Sequence, residues 1–428
     1  MNKFFQIIKN IFQKADAKHI IMLSSGVLLG QVVAMLLQPI ATRLYSPEAF
    51  GCLSLVVSFG TMFSPVTTLQ YHISIVHSPD EDEYPLCKLV LLCVCTTSLL
   101  LFLGLLVILM LDLDEYRSVG HWILFGAAIH FLSGITNCIE SYNNRHSEYA
   151  LMTKVTVHRA TAGGIVKILL GLLHFETAGL VLSQCVGTIA GIRKQSQLII
   201  KHYKEILSVR FSDVWRMAKK YSDQPIFAMP GIFILQFSYS FIPVIINTCF
   251  STREGGFFSI TVAILGLPLN LISNNVSRVF FKNASEELEK TGCFSSSFRN
   301  TAILLISVSL VGFSLLWFIA EPLFSIVYGE EWVQSGIFTK ILIPMYAARF
   351  VMSGLMHGFV ISKKQRLKTF LQSLFIVAMA VGYILSKLKI VSIEGFLSYI
   401  NWTYFLLYIV LFIVLWYQSK KNSNYNKY

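Results

Sequence analysis

The chain has 428 residues, 54% hydrophobic and only 14% charged, with a net charge of +12 and a mean hydropathy of +0.62. A soluble domain carries about 25% charged residues, so this composition excludes a water-exposed globular protein and points to an integral membrane protein. The excess of Lys and Arg is read as cytoplasmic loop bias that fixes topology, not as a nucleic-acid surface.

Residues 1–18 place Phe4, Ile7, Ile8, Ile11 and Phe12 on one helical face with Lys3, Lys9 and Lys14 around it. That pattern predicts an interfacial amphipathic helix and no cleavable signal. Twelve candidate spans follow, at 20–41, 50–74, 86–111, 120–140, 156–173, 175–192, 226–249, 257–281, 300–320, 336–358, 369–388 and 396–417. Their apolar runs are continuous, as helical spans require, and do not alternate as barrel strands do. The weakest is 175–192, which is short and holds Gln184.

Charge sorts the connections. Lys3 to Lys18, Arg145, Lys154 and Arg159, the segment from Arg193 to Lys220, Lys282 to Arg299, Lys363 to Lys368 and the C-terminal lysines fall on one side. The other side has only Arg43, Arg117, Arg253, Lys340, Lys387 and Lys389. This asymmetry predicts both termini in the cytoplasm. One loop dissents: SPDEDEYP, residues 78–85, is acidic on the basic side.

Residues 193–224 form a basic polar connector with apolar residues interleaved, read as interfacial helix. Pro225 and Pro230 then open a second half. The expected organisation is an interfacial helix (1–18), a six-helix bundle (19–192), the connector (193–224), a second six-helix bundle (225–417) and a tail (418–428). A repeat supports it. YSPEAFGCLSL (45–55) and FSTREGGFFSI (250–260) align at an offset of 205, pairing Ser46 with Ser251, Gly51 with Gly256 and Ser54 with Ser259. The fold class expected is therefore all-α, with about twelve transmembrane helices in two pseudo-symmetric bundles.

No nucleophile elbow, Walker loop or zinc-protease signature occurs. The pairs Asp80/Asp82 and Asp112/Asp114 lie in short loops and are read as solvated. The eight cysteines show no metal spacing and are read as small core hydrophobes. The candidates for chemistry are charges within spans, which are costly in hydrocarbon and functional by default. Lys167 in GGIVKILLGLL and Arg349 in MYAARFVMSG lead, each also readable as a snorkelling side chain. Arg159 shares a face with Lys167; Arg278 and Arg43 close spans and could equally be interface anchors. Glu140 and His130 are candidates for polar or proton handling; the plain alternatives are a cap or a pair with Arg145, and a hydrogen-bonded core histidine. A lumen with cations and few acids suits an anionic substrate. No metal or cofactor is implied.

Five stretches, RLYSPEAFGCLSL, NRHSEYALMTKV, AKKYSDQPIFAMPG, REGGFFSITVAILGLPLNLISNNVSRVFFKNASE and LFSIVYGEEWVQSG, occur in that order over most of the chain. With them the chain resembles the Wzx-type polysaccharide flippases of the multidrug/oligosaccharidyl-lipid/polysaccharide (MOP) exporter superfamily. The resemblance implies a MATE/MOP-like fold in two lobes with a cationic central cavity that opens alternately to each side, in which Lys167 and Arg349 would fit. It implies a substrate of undecaprenyl-pyrophosphate-linked glycan, membrane lipid as a partner, and a bacterial inner-membrane location serving O-antigen or another surface polysaccharide. The polysaccharide polymerase and chain-length machinery are candidate partners. Two alternatives stay open: a cation-coupled small-molecule exporter of the same fold, which would want intramembrane carboxylates, and a membrane glycan polymerase, an enzyme, which would want a large external loop.

Overall fold

A computed structural model describes residues 15–113, 116 and 119–421, with side chains from residue 26 onward. The amphipathic pattern expected at 1–18 falls mainly outside the described residues, as does most of the tail. The chain is helical throughout the described residues. Hydrocarbon dictates this, because a helix satisfies every backbone polar group within its own segment.

The longer helices among the described residues are α1 (Ala15–Leu44), α2 (Pro47–Met62), α3 (Tyr71–His77), α4 (Glu83–Met110), α5 (Phe125–Arg145), α6 (Tyr149–Leu172), α7 (Glu176–Ile189), α8 (Phe211–Lys220), α9 (Met229–Cys249), α10 (Thr252–Pro268), α11 (Asn274–Thr291), α12 (Ser295–Leu323), α13 (Val333–Leu355), α14 (Gln365–Lys387) and α15 (Ile393–Lys420). Nine helical stretches among the described residues are long and apolar enough to cross a membrane. The other three expected spans are helical but depart from that ideal. Span 50–74 is broken between α2 and α3, α7 has only 14 residues, and α13 carries Lys340 and Arg349 within its 23 residues.

Two compact units form. One comprises Met1–Leu44, Phe63–Leu111 and Trp122–Met229; the other comprises Tyr45–Met62, Asp112–His121 and Pro230–Tyr428. In the first unit α1 lies along α6, and α6 packs on α7. In the second, α2 crosses α10, and α13 packs against α12 and α15. There Trp332, 1% exposed, stands edge-on between Phe50 and Phe257, at centroid distances of 5.3 and 5.8 Å.

The acidic loop finds its partners within the first unit. Arg145 pairs with Asp80 and Glu83, and His146 lies 2.7 Å from Glu83. Asp82 is buried and accepts hydrogen bonds from Lys220 and from the Tyr221 hydroxyl. Burial, then that bond to Asp82, push the Tyr221 hydroxyl up to about 12. The reading of Asp80 and Asp82 as merely solvated is thus corrected for Asp82, and the charge anomaly has its cause: the acids neutralise basic neighbours on their own side.

The connector is likewise more than an interfacial helix. Ile199, Ile206, Val214 and Met217 are buried in one cluster with Tyr71, Ile75, Leu86 and Val90. Phe211, Trp215 and Leu207 stay exposed on its other side, where an aromatic and basic face suits the headgroup region. Four cysteines (52, 87, 93 and 138) are buried as small hydrophobes, whereas Cys95 is exposed and Cys185, Cys249 and Cys293 are half-buried.

Candidate functional site

A cavity of the first unit lies among α1, α6 and α7, with a volume of about 390 Å³. Its walls carry Arg159, Lys167, Gln38, Ser183, Gln184 and Thr188. Helical spacing explains the cations: residues eight apart return to the same face of α6. Small residues open the room. Gly163 of α6 faces Gly187 of α7, and a Cβ added to Gly163 would stand 3.0 Å from the Gly187 Cα. Such glycines let two backbones approach without filling the space between them.

Arg159 is held from behind. It donates to Glu140 Oε1 at 3.0 Å and to Gln195 Oε1 at 2.6 Å, and Gln195 Nε2 donates to the same carboxylate at 3.4 Å. The Glu140 side chain is 39% exposed and that of Arg159 16%. Glu140 therefore pairs with Arg159, not with Arg145. The other cation on this wall is Lys167, half-buried and five residues before the end of α6 at Leu172. An amine on a wall that also carries amides and hydroxyls can take an anion and donate hydrogen bonds to hydroxyl groups.

His130 lies elsewhere, 1% exposed, its ring nitrogens 3.2 and 3.1 Å from the Thr67 hydroxyl in the break of span two. Arg43 is exposed in the last turn of α1. In the second unit, Arg349 lies half-buried in α13 with its guanidinium 3.8 Å from the Tyr239 ring centroid and 5.5 Å from that of Tyr346. The Tyr239 and Tyr408 hydroxyls are 2.5 Å apart. These aromatic faces stabilise a desolvated guanidinium by about 2 kcal/mol. Arg278 is exposed on α11. The structure thus joins Arg159, Lys167 and, through Arg159, Glu140. His130 and Arg43 lie outside this cavity in the first unit, and Arg349 and Arg278 belong to the second unit.

Sequence inspection missed Gln38, Ser183, Gln184, Thr188 and Gln195, because polar residues within spans are common as interhelical glue. The available signal was the small-residue pattern around them, Gly163 with Gly164 and Gly187.

Comparison with known proteins fits this architecture. Residues 40–337, well over half of the chain, match the family described as "Polysaccharide biosynthesis protein". The chain belongs to this family. Its fold is that of MATE transporters. It resembles the inward-facing conformation of a multidrug resistance MATE family transporter of the MOP superfamily at 12% identity, with a TM-score of 0.62, covering 92% of this chain and 96% of that one. The Vibrio cholerae MATE transporter VcmN gives 12% identity and a TM-score of 0.61 over 99% of both chains. An outward-facing MATE structure gives 13% identity and a TM-score of 0.51, covering 96% of this chain and 98% of that one. None of the curated proteins compared matches the chain. This member of the polysaccharide biosynthesis protein family therefore has the MATE fold, with nine helical stretches among the described residues long and apolar enough to cross a membrane.

Proposed function

We propose that the protein is a flippase. It moves undecaprenyl-pyrophosphate-linked oligosaccharide repeat units across the bacterial inner membrane, with both termini in the cytoplasm, for O-antigen or another surface polysaccharide. The observation that carries this reading is the α1/α6/α7 cavity, where Lys167 and Arg159 stand among amide and hydroxyl groups. A charge within a span is a candidate functional group, and an anionic headgroup with sugars matches the cations, amides and hydroxyls of this wall. The polyprenyl tail stays in lipid throughout, whereas the pyrophosphate and sugars cannot enter hydrocarbon without replacing their water. Lysine, arginine and amide groups replace it, and alternating access carries the headgroup from the cytoplasmic to the periplasmic leaflet. A cation-coupled exporter would want intramembrane carboxylates, and Glu140, at the end of its span, already accepts hydrogen bonds from Arg159 and Gln195.

The test is a deletion strain complemented with wild type or Lys167→Ala. Surface polysaccharide is scored together with the lipid-linked repeat units of the inner membrane. Deletion is expected to abolish the polymer while single repeat units accumulate facing the cytoplasm, and Lys167→Ala to do the same at normal protein level. Unpolymerised units in the periplasmic leaflet would identify a polymerase instead. Untouched surface glycan would overturn the glycan reading and turn attention to small-molecule export.

A further inference from the structure

We propose that a second cavity of the first unit is a subsite for neutral sugar, so that two cavities divide one substrate: the α1/α6/α7 cavity takes the pyrophosphate and this one takes saccharide. The inference rests on the substrate proposed above. The second cavity has a volume of about 550 Å³ and is formed by α3, the end of α5 and the start of α6. That volume is within the range of small-molecule sites.

Helical period builds two of its walls. On α3 the lining positions are 72, 73, 76 and 77, and on α5 they are 141, 144 and 145. Spacings of one, three and four residues keep each set on one face, and α3 packs against α5.

The guanidinium in this cavity is already committed. Arg145 donates to the Ile75 and Ser78 carbonyls at 2.9 and 2.6 Å and to Asp80 Oδ1 at 2.5 Å. Its Nε stands 3.4 Å from Glu83 Oε2. Two carboxylates thus answer one arginine, and the Asp80 side chain is 99% exposed. An anion would meet that acid and would find no free fork of donors to grip. The contrast with Lys167 and Arg159 in the other cavity is one of charge.

What the walls offer instead is neutral hydrogen bonding. Among the described residues, the side chains of His77, Ser141 and Asn144 make no hydrogen bond, and all three line the cavity. His72 holds its Nδ1 2.7 Å from the Thr68 hydroxyl, which orients the ring and leaves Nε2 for another partner. Amide, hydroxyl and neutral imidazole groups each donate and accept, as sugar hydroxyls do. Tyr149 adds an aromatic ring to the wall, and such a ring packs on the apolar C–H face of a sugar while its hydroxyl stays polar.

The two cavities share no lining residue but are served by the same helices. On α5, Glu140 accepts from Arg159 of the first cavity, and the next residue, Ser141, lines the second. On α6, Tyr149 precedes Arg159 by ten residues, about 15 Å along the helix. An oligosaccharide, and not a single sugar, bridges such a distance.

The test uses the purified full chain and two probes. One is the oligosaccharide freed by mild acid from the lipid-linked units that accumulate in the deletion strain; the other is inorganic pyrophosphate. Wild type is expected to bind both in calorimetric titration. His77→Leu and Asn144→Leu are each expected to raise the Kd for the oligosaccharide about tenfold, the loss of one good hydrogen bond, and to leave that for pyrophosphate unchanged. His77 is exposed, so His77→Leu decides should Asn144→Leu fail to fold. Unchanged oligosaccharide affinity in these variants would overturn the subsite, as would absence of oligosaccharide binding to wild type. An equal loss of pyrophosphate binding in His77→Leu would overturn the division between the cavities. A deletion strain that accumulates no lipid-linked unit would overturn the substrate itself and the subsite with it, an outcome distinct from accumulated units whose sugars ignore His77 and Asn144.

Discussion

Span two and its counterpart in the second half begin as near copies and then diverge. Pro47 and Thr252 open α2 and α10 at equivalent positions, each behind a serine cap, and each helix carries the glycine on which the other rests. Fifteen or so residues later the resemblance ends. The first half breaks into left-handed residues at Leu69 and Gln70, whereas the second only loosens into a π-helical turn. The cations diverge as well: Lys167 and Arg159 line a cavity, while Arg349 is covered by tyrosine faces. The crossing is symmetric, whereas the continuation of each crossing helix and the surroundings of the buried cations differ.

The largest expected effect tests the symmetric part. Gly51→Ala and Gly256→Ala should each abolish transport, and to the same degree, since each new Cβ would enter the partner's backbone at nearly the same distance. Unequal losses in the complementation assay would break the equivalence. Next come the cations. Lys167→Ala should lower transport at least tenfold with little change in thermal stability. Arg349→Ala should cost about 2 kcal/mol of stability through lost cation–π contact, seen as a lower Tm in detergent. Comparable Tm losses for both would contradict the division between a ligand-facing lysine and a structural arginine.

A smaller contrast lies at the break. Thr67→Val removes the hydroxyl partner of buried His130 and should cost about 1–3 kcal/mol, since a buried polar ring loses its bond. Ser273→Ala, in the π-helical turn, removes a donor to Phe350 O and should cost about 0.5–1.5 kcal/mol. Paired denaturation curves measure the difference. The smallest effect concerns the loop after each span. Glu287 accepts from the Ser296 and Ser297 amides at the start of α12, so Glu287→Ala should cost about 1 kcal/mol as a lost cap. Asp82→Asn should leave the helices intact and instead make the connector cleave faster in limited proteolysis.

The stretches that carried the family resemblance also have physical work in the structure. Phe50, Phe257 and Trp332 come from three of them and meet at the α2–α10 crossing. Arg145, His146, Lys220 and Tyr221 come from the other two and meet at the acidic loop. None of these seven side chains lines the α1/α6/α7 cavity. The motifs thus mark the scaffold and its crossing, while Lys167 stood out for a different reason, its cost in hydrocarbon.

Hydropathy was enough to read an all-helical membrane protein, because a bilayer demands long apolar helices whatever surrounds them. Lys167 and Arg159 were legible together because helical period alone puts them on one face. Other assignments depend on distance in space. Glu140 could have met Arg145 or Arg159, and only the packing of α5 beside α6 and the connector brings Arg159 and Gln195 to it. The acidic loop gave no hint that Lys220, more than a hundred residues away, would neutralise Asp82. Local pattern fixes a helix and its faces; which faces meet is settled by packing between distant segments, and there the ion pairs, the cavity walls and the glycine crossing are made.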